Sequence, residues 1–284
     1  MPPDPGSPPY PAVPGPDQAF VCLSFDVDAE SVMLAADPAN ADRASLMSHQ
    51  AYGPSVGVPR ILALLDRLGV SATFFVPGAT ADRHPAALEA ILAAGHDVGH
   101  HGYLHESLAG TDEATERRYL ELGLAALERV GGVRPIGYRA PWWEATERTR
   151  PLLAEYGFRY DSSFFDADAP YWVEFGSRRL LEVPVAWALD DWERYAFWPE
   201  VTGDGRIDRP STVTEAWWEE IDALTAAGGT AVLTMHPFLS GRPARVAALE
   251  RLIERVLAVP GLSVGSLADV LHRHERGAET RIAD

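Results

Sequence analysis

Short apolar runs alternate with amphipathic helical stretches along most of this 284-residue chain. A strand, a helix and a second strand in succession build a parallel sheet with helices packed on its faces. Strands are read at residues 19–27, 71–76, 96–99, 136–140, 158–165, 180–187, 230–235 and 262–264. Helices are read at 58–68, 85–94, 113–130, 146–156, 215–227 and 245–257, and Gly95 and Gly157 follow two of them where a C-cap belongs. About seven such units predict an α/β sheet that closes into a barrel. The 46% apolar composition is ample for its core. In parallel sheets function collects at the carboxyl ends of the strands. Asp26, Asp28, His101, Arg139, Asp161 and His236 all fall at or just past such an end.

Residues 99–107 read Gly-His-His-Gly-Tyr-Leu-His-Glu-Ser and hold three of the nine histidines. Imidazoles at i and i+4 share one face of a helical turn about 5–6 Å apart, so His101 and His105 are spaced to offer two nitrogens to one divalent cation. The pair needs a third ligand. Leu23-Ser24-Phe25-Asp26-Val27-Asp28 closes an apolar strand with two carboxylates, and strand alternation projects Asp26 and Asp28 together. One carboxylate is then available as a ligand and the other for proton transfer. His100 points away from His101 in an extended segment and reads as a structural or supporting group.

Composition removes several alternatives. The balance of 24 basic and 41 acidic residues, −17, argues against nucleic acid or an anionic membrane as partner. All 24 basic side chains are arginine, which excludes lysine Schiff-base chemistry and a P-loop. Cys22 is the only cysteine, so there is no internal disulfide, thiolate zinc cluster or Cys-x-x-Cys motif, and its place in the first strand reads as a buried thiol. Residues 1–18 carry eight prolines without a basic n-region or an apolar h-region, and read as a disordered tail rather than a signal peptide. No apolar run has the length of a membrane span, and a cytoplasmic location is expected.

Two stretches resist the alternation. Residues 31–53 and 190–212 read as long loops, which in compact domains are functional or disordered. The second carries Trp192, Tyr195, Phe197 and Trp198, which line a substrate cleft, form a subunit contact or pack within the domain.

Phe25-Asp26-Val27-Asp28, His101-Gly-Tyr-Leu-His105, Gly137-Tyr-Arg-Ala-Pro-Trp-Trp143, Tyr160-Asp-Ser-Ser163 and Leu233-Thr-Met-His-Pro237 resemble, in this order, the motifs of the polysaccharide deacetylase family, carbohydrate esterase family 4. The resemblance spans roughly residues 19–270. Asp-Val-Asp, His-Gly-Tyr, Ala-Pro-Trp-Trp-Glu, and Val183-Pro184 leading to Trp187 and Asp190-Asp191 are similar to the branch holding intracellular peptidoglycan-deacetylase-like proteins, cyclic imide hydrolases and allantoinase-like enzymes. It implies a distorted (β/α)7 barrel as a single catalytic domain, residues 19–275, between tails 1–18 and 276–284. It implies hydrolysis of a carbon–nitrogen bond that is not a peptide bond. By the same resemblance Asp28, His101 and His105 bind the metal, Asp26 is the general base and Arg139 holds it. His236 is the general acid, with Asp161 orienting it or starting a turn before Ser162. Trp142 and Trp143, with Trp187, wall the substrate pocket or pack in the core. The His/His/Asp set suits zinc, and also accepts cobalt, nickel or iron.

Two features depart from the family pattern. Gly102 stands where the deacetylases place Ser or Thr after the first ligand histidine, and Val27 separates the two aspartates. The expected substrate is an amide on a small molecule or an amino sugar. An N-acetylated amino sugar needs an open groove, whereas a small cyclic imide or ureide fits a closed pocket. A carbohydrate-binding protein without catalysis is the third reading. The subgroup also implies a homo-oligomer.

Overall fold

The computed structural model describes residues 19–197 and 207–283; the predicted tail 1–18 and Trp198 lie outside them. The sheet comprises β1 (Phe20–Asp26), β2 (Thr73–Val76), β3 (Asp97–His100), β4 (Gly137–Tyr138), β5 (Tyr160–Asp161), β6 (Tyr171–Phe175), β7 (Arg178–Glu182), β8 (Thr230–Met235) and β9 (Ser263–Gly265). Its order is β6-β7-β5-β4-β3-β2-β1-β8, with β9 paired to β1. The seven strands from β7 to β8 are parallel and curl into an incomplete barrel, while β6 is antiparallel to β7 at one edge. The gap between β7 and β8 is bridged at its carboxyl end, where Asp190 pairs with Thr234 and the Asp191 amide donates to the Thr234 carbonyl (3.0 Å). That single bridge brings residues 190–192 to the carboxyl ends of the strands.

Strand alternation sends the side chains of β1 and β8 into two different parts of the core. Val21, Leu23 and Phe25 of β1 join Leu233 and Met235 of β8 in the cluster beneath the surrounding helices. Phe20, Cys22 and Val232 belong to a second cluster with Phe75, Tyr160, Leu181 and the start of the helix Leu267–Ala283. Cys22 is fully buried there, and burial pushes its thiol well above the ordinary range, as expected of an inert small side chain. The helix Val58–Leu68 shows the energetics. Val58, Ile61, Leu64 and Leu65 make one buried stripe, each worth about 1.5–3 kcal/mol, and Gly69 ends it in the left-handed region at φ 65°. Truncating Leu65 to alanine costs about 2–5 kcal/mol.

The structure corrects three readings. Residues 31–53 are not a loop but the short helices Ser31–Ala36, Pro38–Asp42 and Ala44–Tyr52, followed by a π turn at Gly53–Gly57. They lack a clean apolar period because they turn tightly around buried polar groups; Asn40 Nδ2 donates to the Met33 carbonyl (2.9 Å). The run at 158–165 pairs only at Tyr160–Asp161, and the hairpin strand Tyr171–Phe175 lacks alternating burial, being half-exposed on the sheet edge. The helix Leu267–Ala283 also runs through most of the segment 276–284 expected as a tail. Among the described residues no helix is long and apolar enough to cross a membrane.

Candidate metal centre and active site

Asp26 ends β1, and the next residues are fixed by their backbones: the Val27 amide donates to the Phe75 carbonyl (2.8 Å), and Ala29 turns the chain at φ 50°. The Asp28 carbonyl accepts from the Ser31 amide (3.1 Å) and the Thr80 hydroxyl (2.7 Å). Its carboxylate is left over, with both oxygens buried and without a hydrogen-bond partner. Such an anion costs several kcal/mol unless something completes it. His101 Nε2 and His105 Nε2 each lie 3.4 Å from an Asp28 oxygen. Three donors around a tetrahedral ion with bonds of about 2.1 Å stand about 3.4 Å apart, so the orphaned carboxylate and the imidazoles fit a divalent cation. His101 Nδ1–H donates to the Arg139 carbonyl (2.8 Å), which fixes its tautomer and leaves Nε2 as the lone pair.

The predicted helical turn across the pair is absent. Gly102 and His105 adopt left-handed backbone, φ 69° and 63°, so the segment loops back and the rings converge to 4.9 Å by another route. The Gly102 amide donates to His100 Nδ1 (3.2 Å), whose Nε2–H donates to the Leu120 carbonyl (3.1 Å). Burial holds His100 neutral, with its pKa lowered to about 3. Carbonyls of Gly102 and Tyr103 take the amides of Gly78 and Ala79 (3.1 and 2.8 Å), and Glu106 takes the Tyr103 amide (3.0 Å). These bonds tie down the loop. Gly123 makes room for it, because a Cβ there would collide with the His100 ring.

The same rim receives Arg139, fully buried past β4, with Nη1 2.7 Å from Asp26 Oδ1 and 3.0 Å from Ser24 Oγ. Its Nε and Nη2 donate to the carbonyl and hydroxyl of Ser162 (both 3.2 Å). His236 follows β8 with Nε2 3.6 Å from Asp28 Oδ2. Its orienting carboxylate is Asp191, not Asp161: Asp191 takes Nδ1–H at 2.7 Å, the His236 amide at 3.0 Å and the Ser240 hydroxyl. Asp161 instead accepts from Ser163 Oγ at 2.6 Å, beside Glu182. The sequence places Asp190-Asp191 in view but not their contact with His236, because that contact depends on the one-residue closure between β7 and β8.

Charge divides the site into two environments. Burial works to raise the Asp28 carboxyl, but His105, His101 and His236 outweigh it and hold the group well below the usual range. Burial lowers His105 to about 4, against the pull of Asp28. At His236 burial works downward too, yet Asp191, Asp190 and Asp28 prevail and carry it up to about 10. Asp190 is raised to about 7, chiefly by burial.

These groups open on a cavity of about 190 Å³ lined by Asp26, Asp28, His101, His105, Asp190, Glu193 and His236 together with Trp142, Trp143, Trp187 and Trp192. Trp142 stands edge-on to His105 (4.9 Å), and Trp143 packs on Trp187 (4.5 Å). Trp142 and Trp143 carry left-handed backbone at φ 59° and 55°, strain of the kind that persists where surrounding structure enforces it. From the 190–212 segment, Trp192 reaches the cavity, Tyr195 is core and Phe197 is exposed.

A sequence profile described as polysaccharide deacetylase matches residues 45–160. The chain is 28% identical over 265 residues to a Helicobacter pylori peptidoglycan deacetylase, covering 84% of this chain and 90% of the relative. A crystal structure of a Mycobacterium smegmatis protein assigned as a polysaccharide deacetylase is 51% identical, covers 96% of each chain and superposes with a TM-score of 0.91. The structure of PuuE allantoinase is 26% identical, with a TM-score of 0.78 over 94% of this chain and 93% of that one.

Proposed function

This chain belongs to the polysaccharide deacetylase family, hydrolases of carbon–nitrogen bonds other than peptide bonds, and on that premise we propose that its rim is a metal-dependent amide-hydrolysing centre. The observation that carries this reading is the convergence of one orphaned carboxylate, two imidazoles, an arginine-held carboxylate and a carboxylate-held imidazole on one cavity. A divalent cation held by Asp28, His101 and His105, with zinc the best match to the donors, would supply acidified water and a polarised carbonyl. Asp26, kept in place by Arg139, takes the proton of the attacking water. Asp191 holds His236 Nδ1–H, which leaves Nε2–H directed to the cavity to protonate the departing nitrogen. Trp142, Trp143 and Trp187 bind the apolar face of the substrate.

The family supports an N-acetylated amino sugar as substrate. A specific observation favours a second reading: a cavity of about 190 Å³ walled by four tryptophans suits a small planar ring, and the chain is similar to an allantoinase along most of its length. Hydrolysis assays on acetylated chito-oligosaccharides beside succinimide- and hydantoin-like rings separate the two. Release of acetate alone supports the sugar; ring opening alone supports the imide. Turnover of neither, with Asp26→Asn indistinguishable from the unaltered protein, would overturn the centre as a whole.

A further inference from the structure

Asp161 has no part in orienting His236, and its surroundings give it a different use. It ends β5, Glu182 ends β7, and the two are register partners across that parallel pair. Both are fully buried. Ser163 Oγ donates to Asp161 Oδ1 (2.6 Å), and the amides of Ser163 and Phe164 donate to Glu182 Oε1 (3.2 and 3.1 Å). The remaining oxygens, Asp161 Oδ2 and Glu182 Oε2, have no hydrogen-bond donor among the described residues. Two adjacent buried carboxylates repel, and each orphaned oxygen forfeits a bond. One proton held between those oxygens removes both penalties.

The neighbouring charges agree with a single proton. From the helix Thr149–Tyr156, Arg150 brings Nε to 3.5 Å from Glu182 Oε2, while its Nη2 lies 3.7 Å from the exposed Asp166. Tyr138 of β4 and Tyr171 of β6 face the pair as neutral phenols, their ionisation pushed up chiefly by burial. Asp161 and Glu182 with one shared proton carry a single negative charge against Arg150; without it they carry a second that nothing here balances. Burial raises both acids, Glu182 well above the ordinary carboxylate range.

We propose that Asp161 and Glu182 share one proton, and that this pair is a positioning device for Arg139 and the tryptophan wall. Segment 161–164 hangs on the pair at one side. On the other, Ser163 Oγ accepts the Ala140 amide (2.9 Å), directly ahead of the strained Trp142 and Trp143, and Ser162 accepts two bonds from Arg139. Arg139 in turn grips Asp26 at 2.7 Å. Asp161 therefore acts on the reaction through Ser163 and Arg139 and touches no substrate.

The test compares Asp161→Asn with Asp161→Ala. An asparagine still accepts from Ser163 and donates to Glu182, so it mimics the protonated acid but cannot titrate. An alanine leaves Ser163 without its acceptor. Carboxyls raised in the fold bind more protons folded than unfolded, so they stabilise at low pH and that stability is lost as pH rises through their folded values. The thermal midpoint of the unaltered protein should therefore fall relative to Asp161→Asn as pH rises above the ordinary carboxylate range. Asp161→Asn should keep kcat within about threefold, and Asp161→Ala should lose about tenfold in kcat with little change in KM. If Asp161→Ala does not fold, Glu182→Gln takes its place in the thermal series and should flatten the pH dependence as Asp161→Asn does. Parallel thermal profiles for the unaltered protein and Asp161→Asn, or an asparagine variant as impaired as the alanine, would overturn the proposal. The thermal readout involves no substrate, so it stands or falls separately from the hydrolytic reading.

Discussion

The two histidine environments on the rim sit a few ångströms apart and are built on opposite principles. Around Asp28, His101 and His105, buried polar atoms are left unpaired and the His105 backbone is left-handed. Around His236, Asp191 is saturated by an amide, a hydroxyl and a ring N–H. Unpaired buried carboxylate oxygens are expensive, whereas a saturated carboxylate–imidazole pair is self-sufficient. One half of the site leaves a buried carboxylate that a cation would complete, and the other half is complete within the protein.

The sharpest way to break that contrast is Asp28→Asn. Hydrolysis should fall by about a thousandfold or more, since the cation loses its only anionic ligand. The thermal midpoint of the variant should not respond to added zinc; a midpoint that still rises with zinc in scanning calorimetry would mean that the cation does not depend on Asp28. Asp191→Asn should behave the other way. Activity should drop about a hundredfold as His236 loses its charge partner, metal content should stay unchanged, and breaking the buried pair should destabilise the fold by about 3 kcal/mol. Elemental analysis beside denaturant titration checks both halves of that expectation.

Chelation should affect the fold less. Free cation at a hundred times Kd stabilises by about 2.7 kcal/mol, so stripping it should lower the midpoint by several degrees in the unaltered protein and leave Asp28→Asn where it was. The smallest effect is in the pH dependence of metal-free stability, and its sign differs between the two rings. His105, lowered to about 4, is present as a stabilising neutral group above its ordinary value and is lost as pH falls through 4. His236, raised to about 10, stabilises below its ordinary value and is lost as pH rises toward 10. In thermal melts, His105→Gln should flatten the acid limb and His236→Gln the alkaline limb; the same limb flattened by both would erase the distinction.

What the sequence made legible follows the range of the forces involved. The parallel strands could be read because each carries its own apolar run, and Asp26, Asp28, His101 and His236 could be placed because each stands next to one. The path between His101 and His105 could not, since left-handed residues at 102 and 105 are fixed by contacts from 78–79 and 120, remote in the chain. Asp191 was visible as half of Asp190-Asp191, yet its partner lies 45 positions away and is reached only through the bridge at Thr234. Asp161 misled for the complementary reason. Its position past a strand end fits a site residue, but the register across β5 and β7 delivers it to Glu182.

If Asp28, His101 and His105 form one cation site that the protein leaves incomplete, occupancy depends on each of them. Metal stoichiometry by elemental analysis, with zinc titration of stripped protein, tests it most directly. One divalent cation per chain is expected in the unaltered protein and in Asp191→Asn, and none in Asp28→Asn or His101→Asn. A stripped protein that takes up no cation, or an Asp28→Asn variant that still binds one, would contradict it.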